Sequence, residues 1–112
     1  MGAEKNVEKL HEHKTIKRIA AGTASYSLTK QEVSVIVAAT DDTGDISIYP
    51  PPPDQSLGRK IYIVVTTIDT SDVLVLDRHH ITEKIVTLDT SADWVVLYCN
   101  GLEWIPIGGT YA

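Results

Sequence analysis

The chain contains no phenylalanine, one methionine and a single cysteine, Cys99, among its 112 residues. One cysteine excludes an intrachain disulfide, which suits assembly in a reducing cytoplasm. Cys99 lies in the apolar run 94–99. A buried, inert thiol is expected there, because no histidine or helix start stands beside it to make a thiolate. No apolar run approaches the ~18–20 residues that a membrane helix needs. Residues 1–20 also lack the continuous apolar stretch of a signal peptide, so a soluble protein without a membrane partner is expected. Cations are scarce, 10 Lys and Arg against 15 Asp and Glu, for a net charge of -5. Nucleic-acid binding by counterion release needs clustered cations, and only Lys14, Lys17 and Arg18 cluster. There is no Gly-rich phosphate loop and no nucleophile elbow. The carboxylates fall mostly in turns, as at Asp41, Asp42, Asp69, Asp72, Asp89 and Asp93, which is what turn chemistry prefers. No catalytic constellation and no cofactor site follow from this pattern.

What the chain has is β-branched apolar residue. Hydrophobic residues make up 43% and aromatic residues only 6%, so Val, Ile and Leu carry the core. That bias favours pleated, half-buried strands over helices. From Ser25 onward strand signals recur about every ten residues, as in sandwiches, barrels and prisms. Tyr26 and Leu28, then residues 33–38, Ile46 and Ile48, 59–67, 73–76, 85–88, 94–99 and 102–107 supply them. In 59–67, Ile61, Ile63 and Val65 share one face while Tyr62, Val64 and Thr66 share the other. Asp41-Asp-Thr-Gly44, 69–72 and 89–93 read as turns, and Gly58 releases the long strand that follows it. Asn100-Gly101 predicts a type I′ hairpin between the last two strands. Four prolines at 50–53 end one strand and predict a stiff surface connection, or a segment read by a proline-binding partner.

The expected fold is therefore all-β, with short antiparallel strands forming a sandwich or a trimeric β-prism-like module. Residues 1–22 differ in character, rich in charge with sparse apolar positions, and are expected as a short helical or extended arm that docks on a partner. The β-domain then covers 23–112. Within the arm Val7, Leu10, Ile16, Lys17, Arg18 and Ile19 are the candidate anchoring residues. The pairs Val7/Leu10 and Ile16/Ile19 each fit an i, i+3 helical spacing without forming one continuous face.

Two further groups have chemistry to weigh. His11 and His13 form a His-x-His pair that reads as a solvated polar face; only three copies around an axis would offer an octahedral shell to a transition metal, so no metal site is assigned. His79 and His80 are adjacent and point to opposite faces of a strand. Trp94, Tyr98 and Trp104 form a possible aromatic platform for a sugar, set against the plainer reading of cross-strand pairs that stabilise a sheet.

The order of these signals resembles the β-modules of tailed-bacteriophage surface proteins, namely fibres, spikes and head-decoration proteins. The residues that carry the resemblance are the prolines 50–53 and then Gly58-Arg-x-Ile-Tyr-Ile-Val-Val. They continue with Val73-Leu-Val-Leu, Ile81 and Val86-Thr-Leu88, and end with Trp94-Val-Val-Leu-Tyr-x-Asn-Gly-x-x-Trp104. The likeness spans 33–107 and leaves the charged arm outside. The turns 69–72 and 77–80 lack the glycine usual in such modules. The resemblance implies a non-enzymatic virion protein, usually a homotrimer, assembled in the host cytoplasm. The expected role is a capsid-decorating head fibre or knob held by its arm to the major capsid protein or another virion protein. The alternative is a carbohydrate-binding adhesin module of a tail fibre or spike, with a host-surface glycan as partner. Apolar residues on both faces of strands also favour association, because one intramolecular core cannot cover them.

Overall fold

The computed structural model describes residues 16–28, 33–77 and 84–112. Among these residues nine strands make up nearly all of the regular structure: β1 (Ile16–Ile19), β2 (Ser25–Ser27), β3 (Val35–Ala39), β4 (Ile46–Tyr49), β5 (Lys60–Thr67), β6 (Val73–Leu76), β7 (Lys84–Leu88), β8 (Trp94–Cys99) and β9 (Trp104–Thr110). A single 3-10 turn, Pro53–Gln55, interrupts them. The all-β expectation holds.

The strands form two mixed sheets, one ordered β1-β3-β5-β8-β9 and the other β2-β4-β6-β7. The first six strands alternate between the sheets, so every second strand returns to lie parallel beside its predecessor. Only β5–β8, β6–β7 and β8–β9 pair antiparallel. The antiparallel expectation is thus corrected for four of the seven pairings. The period-2 pattern decides which face a residue takes and says nothing of strand direction. Parallel neighbours need long crossover connections, and here each crossover contains a strand of the other sheet.

Both sheets contribute to one buried cluster. Ile36, Ile61, Ile63, Val65, Val95 and Leu97 come from the five-stranded sheet, and Ile46, Ile48, Val73, Val75, Val86 and Leu88 from the four-stranded one. Within β5 the buried residues are Ile61, Ile63 and Val65, the face predicted for them. Between the sheets' ends Thr40 is buried, and its hydroxyl donates to Ser71 O at 2.6 Å.

Three local expectations change. Residues 16–22 do not form part of a separable arm: Ile16–Ile19 is a strand paired with β3, and Ile19 is 5% exposed in the shared core. A strand with one isoleucine on each face gives the same i, i+3 spacing as a helix, which is why the pattern misled. The hairpin after β8 turns on Gly101-Leu102 rather than Asn100-Gly101. Gly101 takes φ 93, and Ala92 is the one non-glycine at positive φ among the described residues, so Asn100 does not adopt the conformation that type I′ requires. The Asn100 carboxamide instead caps the turn, accepting from the N–H groups of Leu102 and Glu103 at 2.9 Å each. The prolines, lastly, are no surface spacer. Pro50, Pro51 and Pro53 are buried, and the carbonyls of 51–53 take bonds from Trp104, Ser56 and Cys99.

The C-terminus is also built in. An ideal Cβ at Gly109 would lie 2.2 Å from Trp94 O, so only glycine lets β9 continue past β8. Beyond it the Ala112 N–H donates to Thr87 O at 3.0 Å and ties the edge of one sheet to the other.

Candidate functional site

The registers of β1, β3, β5, β8 and β9 place the outward residues of the five-stranded sheet in rows. One row runs Ile16, Val35, Tyr62, Val96, Gly108, and the next runs Arg18, Val37, Val64, Trp94, Thr110. Tyr98 and Ile105 lie beside Lys60 in a shorter third row. This outer face is apolar. Ile16, Tyr62 and Trp94 are between 42% and 47% exposed. Arg18 and Lys60, the ionisable cations of these rows, stand on the edge strand and at the start of β5.

The other sheet presents the opposite character to solvent. Its outward row is Ser25, Ser47, Leu74, Thr87, followed by Ser27 and Tyr49. The two faces therefore differ in balance: one mixes serine and threonine hydroxyls with Leu74 and Tyr49, and the other is mostly valine, isoleucine and aromatic rings. Five strands spaced ~4.8 Å and about five residues long make the apolar face roughly 400 Å². The largest apolar patch on a soluble monomer is commonly about 300–600 Å² and is often functional.

The predicted aromatic platform is split by the sheet. Trp94 pairs with Thr110 and Trp104 with Cys99, so the two indoles occupy opposite ends of the hairpin. They also face opposite ways. Trp104 is 7% exposed in the core and its Nε1–H donates to Pro51 O at 2.8 Å, whereas Trp94 is on the outer face. Trp104 is removed from the platform, while Trp94 and Tyr98 share one face. Tyr62, opposite Val96 and hence diagonal to both, completes an outward trio that sequence reasoning missed. The signal was present in Ile61-Tyr-Ile-Val-Val65, whose two faces are both apolar.

The anchoring residues are also divided. Ile16 and Arg18 point outward, Ile19 is buried in the core, and Lys17, on the same side of the strand as Ile36, remains exposed at the edge. The Lys17 ammonium lies 5.4 Å from the Tyr26 ring centroid, a cation–π arrangement. Val7, Leu10, His11, His13, His79 and His80 lie outside the described residues. Cys99 is buried, donating through Sγ–H to Pro53 O at 3.3 Å and accepting from the Gly101 N–H at 3.4 Å.

Charge gathers at the turns. The Asp45 carboxylate accepts from the Asp72 N–H at 2.8 Å. Burial holds the Asp72 carboxyl above its ordinary 3.8, with the charges of Asp45 and Asp89 adding to the rise and Lys84 opposing it. Because the folded value is raised, Asp72 favours folding fully below pH 3.8 and loses that contribution as pH rises through its folded pKa. Asp72→Asn should therefore melt higher than the wild type at pH 7 and match it near pH 3. Thermal scans at the two pH values check this, and an equal difference at both would contradict it.

Among the described residues no three His, Cys, Asp or Glu side chains gather to hold a metal ion. A pocket of about 130 Å³ between the turns at 22–24 and 43–45 carries one carboxylate, Asp45, below the ~300–1,000 Å³ of small-molecule sites. No helix of the described residues is long and apolar enough to cross a membrane. No protein-family model matches the chain, and no curated protein or solved structure matches it.

Proposed function

We propose that this chain is a non-enzymatic structural protein of a tailed-phage particle, a homotrimeric capsid-decorating head fibre or knob. The two sheets are read as a β-sandwich, and three copies turn their five-stranded sheets toward a common axis. The observation that carries the reading is the contrast between the two outer faces, apolar around Tyr62 and Val64 and hydroxylated around Ser25 and Ser47. In a chain of net charge -5, copies meet most readily through a face that carries none of the carboxylates, and the rows of this face carry none. Closing the face also removes exposed sheet surface, a general hazard for β-proteins. Residues 1–15, with Val7 and Leu10, are left to attach the module to the capsid protein or another virion protein.

The second reading is a carbohydrate-binding adhesin module of a tail fibre or spike. The exposed trio Tyr62, Trp94 and Tyr98 favours it, since aromatic faces stack on sugars. Both readings use one face, so they exclude each other within one assembly. Immunogold labelling of purified virions that carry the chain separates them. Gold on the capsid is the expected result. Gold on the tail, with binding blocked by glycan, supports the adhesin, and protein found only outside particles overturns both.

A further inference from the structure

The four sheet edges are not alike. At one side of the molecule β7 and β9 run close together, the Ala112 N–H bridges to Thr87 O, and β9 carries Pro106, which has no N–H to offer. That side is closed and blunted. On the other side lie β1 and β2, the first strands of the two parallel stacks, and among the described residues no strand pairs with their outer edges. β2 is three residues long and bears no charge. β1 is Ile16-Lys-Arg-Ile19, with Arg18 and Ile16 on the outer face and Lys17 on the inner.

We propose that the outer edge of β1 is a strand-addition site for an extended, acidic segment of a partner protein. Main-chain hydrogen bonds give such additions their affinity and side chains on alternate faces give specificity. An incoming strand meets a cation on each face of β1, Arg18 outward and Lys17 inward, and opposite charges across strands are stabilising. A second copy of this chain is disfavoured at that edge, because β1 against β1 sets Lys17 and Arg18 against like charges. Elsewhere the protein is acidic, at -5 overall, so this edge is where an acidic strand is drawn in. The site is the backbone edge of β1; it shares the outward Arg18 with the apolar sheet face, and its binding of a strand does not depend on the trimer.

The test uses the full chain and a terminally blocked seven-residue valine-rich peptide with two adjacent glutamates at its centre, so that each face of the strand carries one carboxylate, with the peptide bearing lysines at those two positions as control. Titration followed by amide NMR should show shifts and slowed exchange centred on residues 16–19 with the glutamate peptide alone. Arg18→Glu should weaken that binding by roughly tenfold, equivalent to 1.4 kcal/mol, and added salt should weaken it further. Lys60→Glu, which changes the same charge away from the edge, should leave it nearly unchanged. Equal binding of both peptides, shifts centred on β9 or the outer face, or an Arg18→Glu variant that binds as the wild type would each overturn the proposal. If the chain proves monomeric and still binds the peptide, the edge site stands while the trimer reading fails.

Discussion

Replacing Trp104 by alanine is expected to destabilise the fold by about 3–5 kcal/mol, the range for deleting a buried aromatic side chain. Trp94→Ala should cost the isolated fold much less, about 1 kcal/mol, the scale of a cross-strand aromatic pair. The two tryptophans end the same hairpin and look equivalent in the sequence, but their environments differ. Trp104 packs in the core beneath the proline run and its indole N–H supplies the Pro51 carbonyl. Trp94 rests on the outside of the sheet, 42% exposed. Trp104→Phe should fall between, keeping a ring but leaving a buried carbonyl without its donor, at about 1–3 kcal/mol. Denaturant melts in a Tyr62→Lys background, where assembly does not contribute, provide the measurement. A Trp94→Ala variant as unstable as Trp104→Ala would contradict the assigned faces.

Tyr62→Lys is the second large effect, and it acts on assembly. Tyr62 lies on the central strand of the five, opposite Val35 on one side and Val96 on the other. At 46% exposure it supports little of the monomer's core, so the lysine variant should fold with the wild-type circular dichroism spectrum. In a trimer three ammonium groups are brought together on a face with no carboxylate in its rows. An unpaired buried charge costs several kcal/mol, enough to abolish association at micromolar concentration. Trp94→Lys, one row away, should do the same. A Tyr62→Lys protein that keeps the wild-type mass would show that this face is not the contact.

Much of the fold was legible in the residues. Strands β2 to β8 fall where the period-2 runs and the turn residues around Gly44, Gly58 and 89–93 place them, because burial on alternate faces imposes that period directly; β9 was expected over 102–107 and instead runs Trp104–Thr110, through two glycines that carry no period-2 signal. Strand direction was not legible. Nothing in Val35–Ala39 or Lys60–Thr67 distinguishes a parallel neighbour from an antiparallel one, except that both read as continuous apolar runs, as parallel strands do. The strand at Ile16–Ile19 was hidden by its two cations and by a spacing shared with helices. The Asn-Gly dipeptide marked the hairpin but missed its register by one residue, since the Asn100 side chain caps the turn in place of a left-handed backbone.

The candidate site was half legible. Trp94 and Tyr98 do share a face as platform residues, but Trp104, grouped with them because it lies across the hairpin at a comparable distance from Asn100-Gly101, pairs with Cys99 and faces the core. What separates it is the hydrogen bond to Pro51, 53 residues away in the chain, a contact that no local pattern reports. The prolines read as a spacer for the same reason: their role comes from the hairpin packed against them. Tyr62 and Val64 were assigned their face correctly yet not recognised as part of a surface. That surface exists only once β1, β3, β8 and β9 are set beside β5.

Sedimentation equilibrium of the wild-type chain tests the central claim most directly. Self-association through the apolar sheet face predicts a mass three times the 12.3 kDa of one chain, with Tyr62→Lys returning it to one. A wild-type protein that remains a monomer at high micromolar concentration would contradict the account.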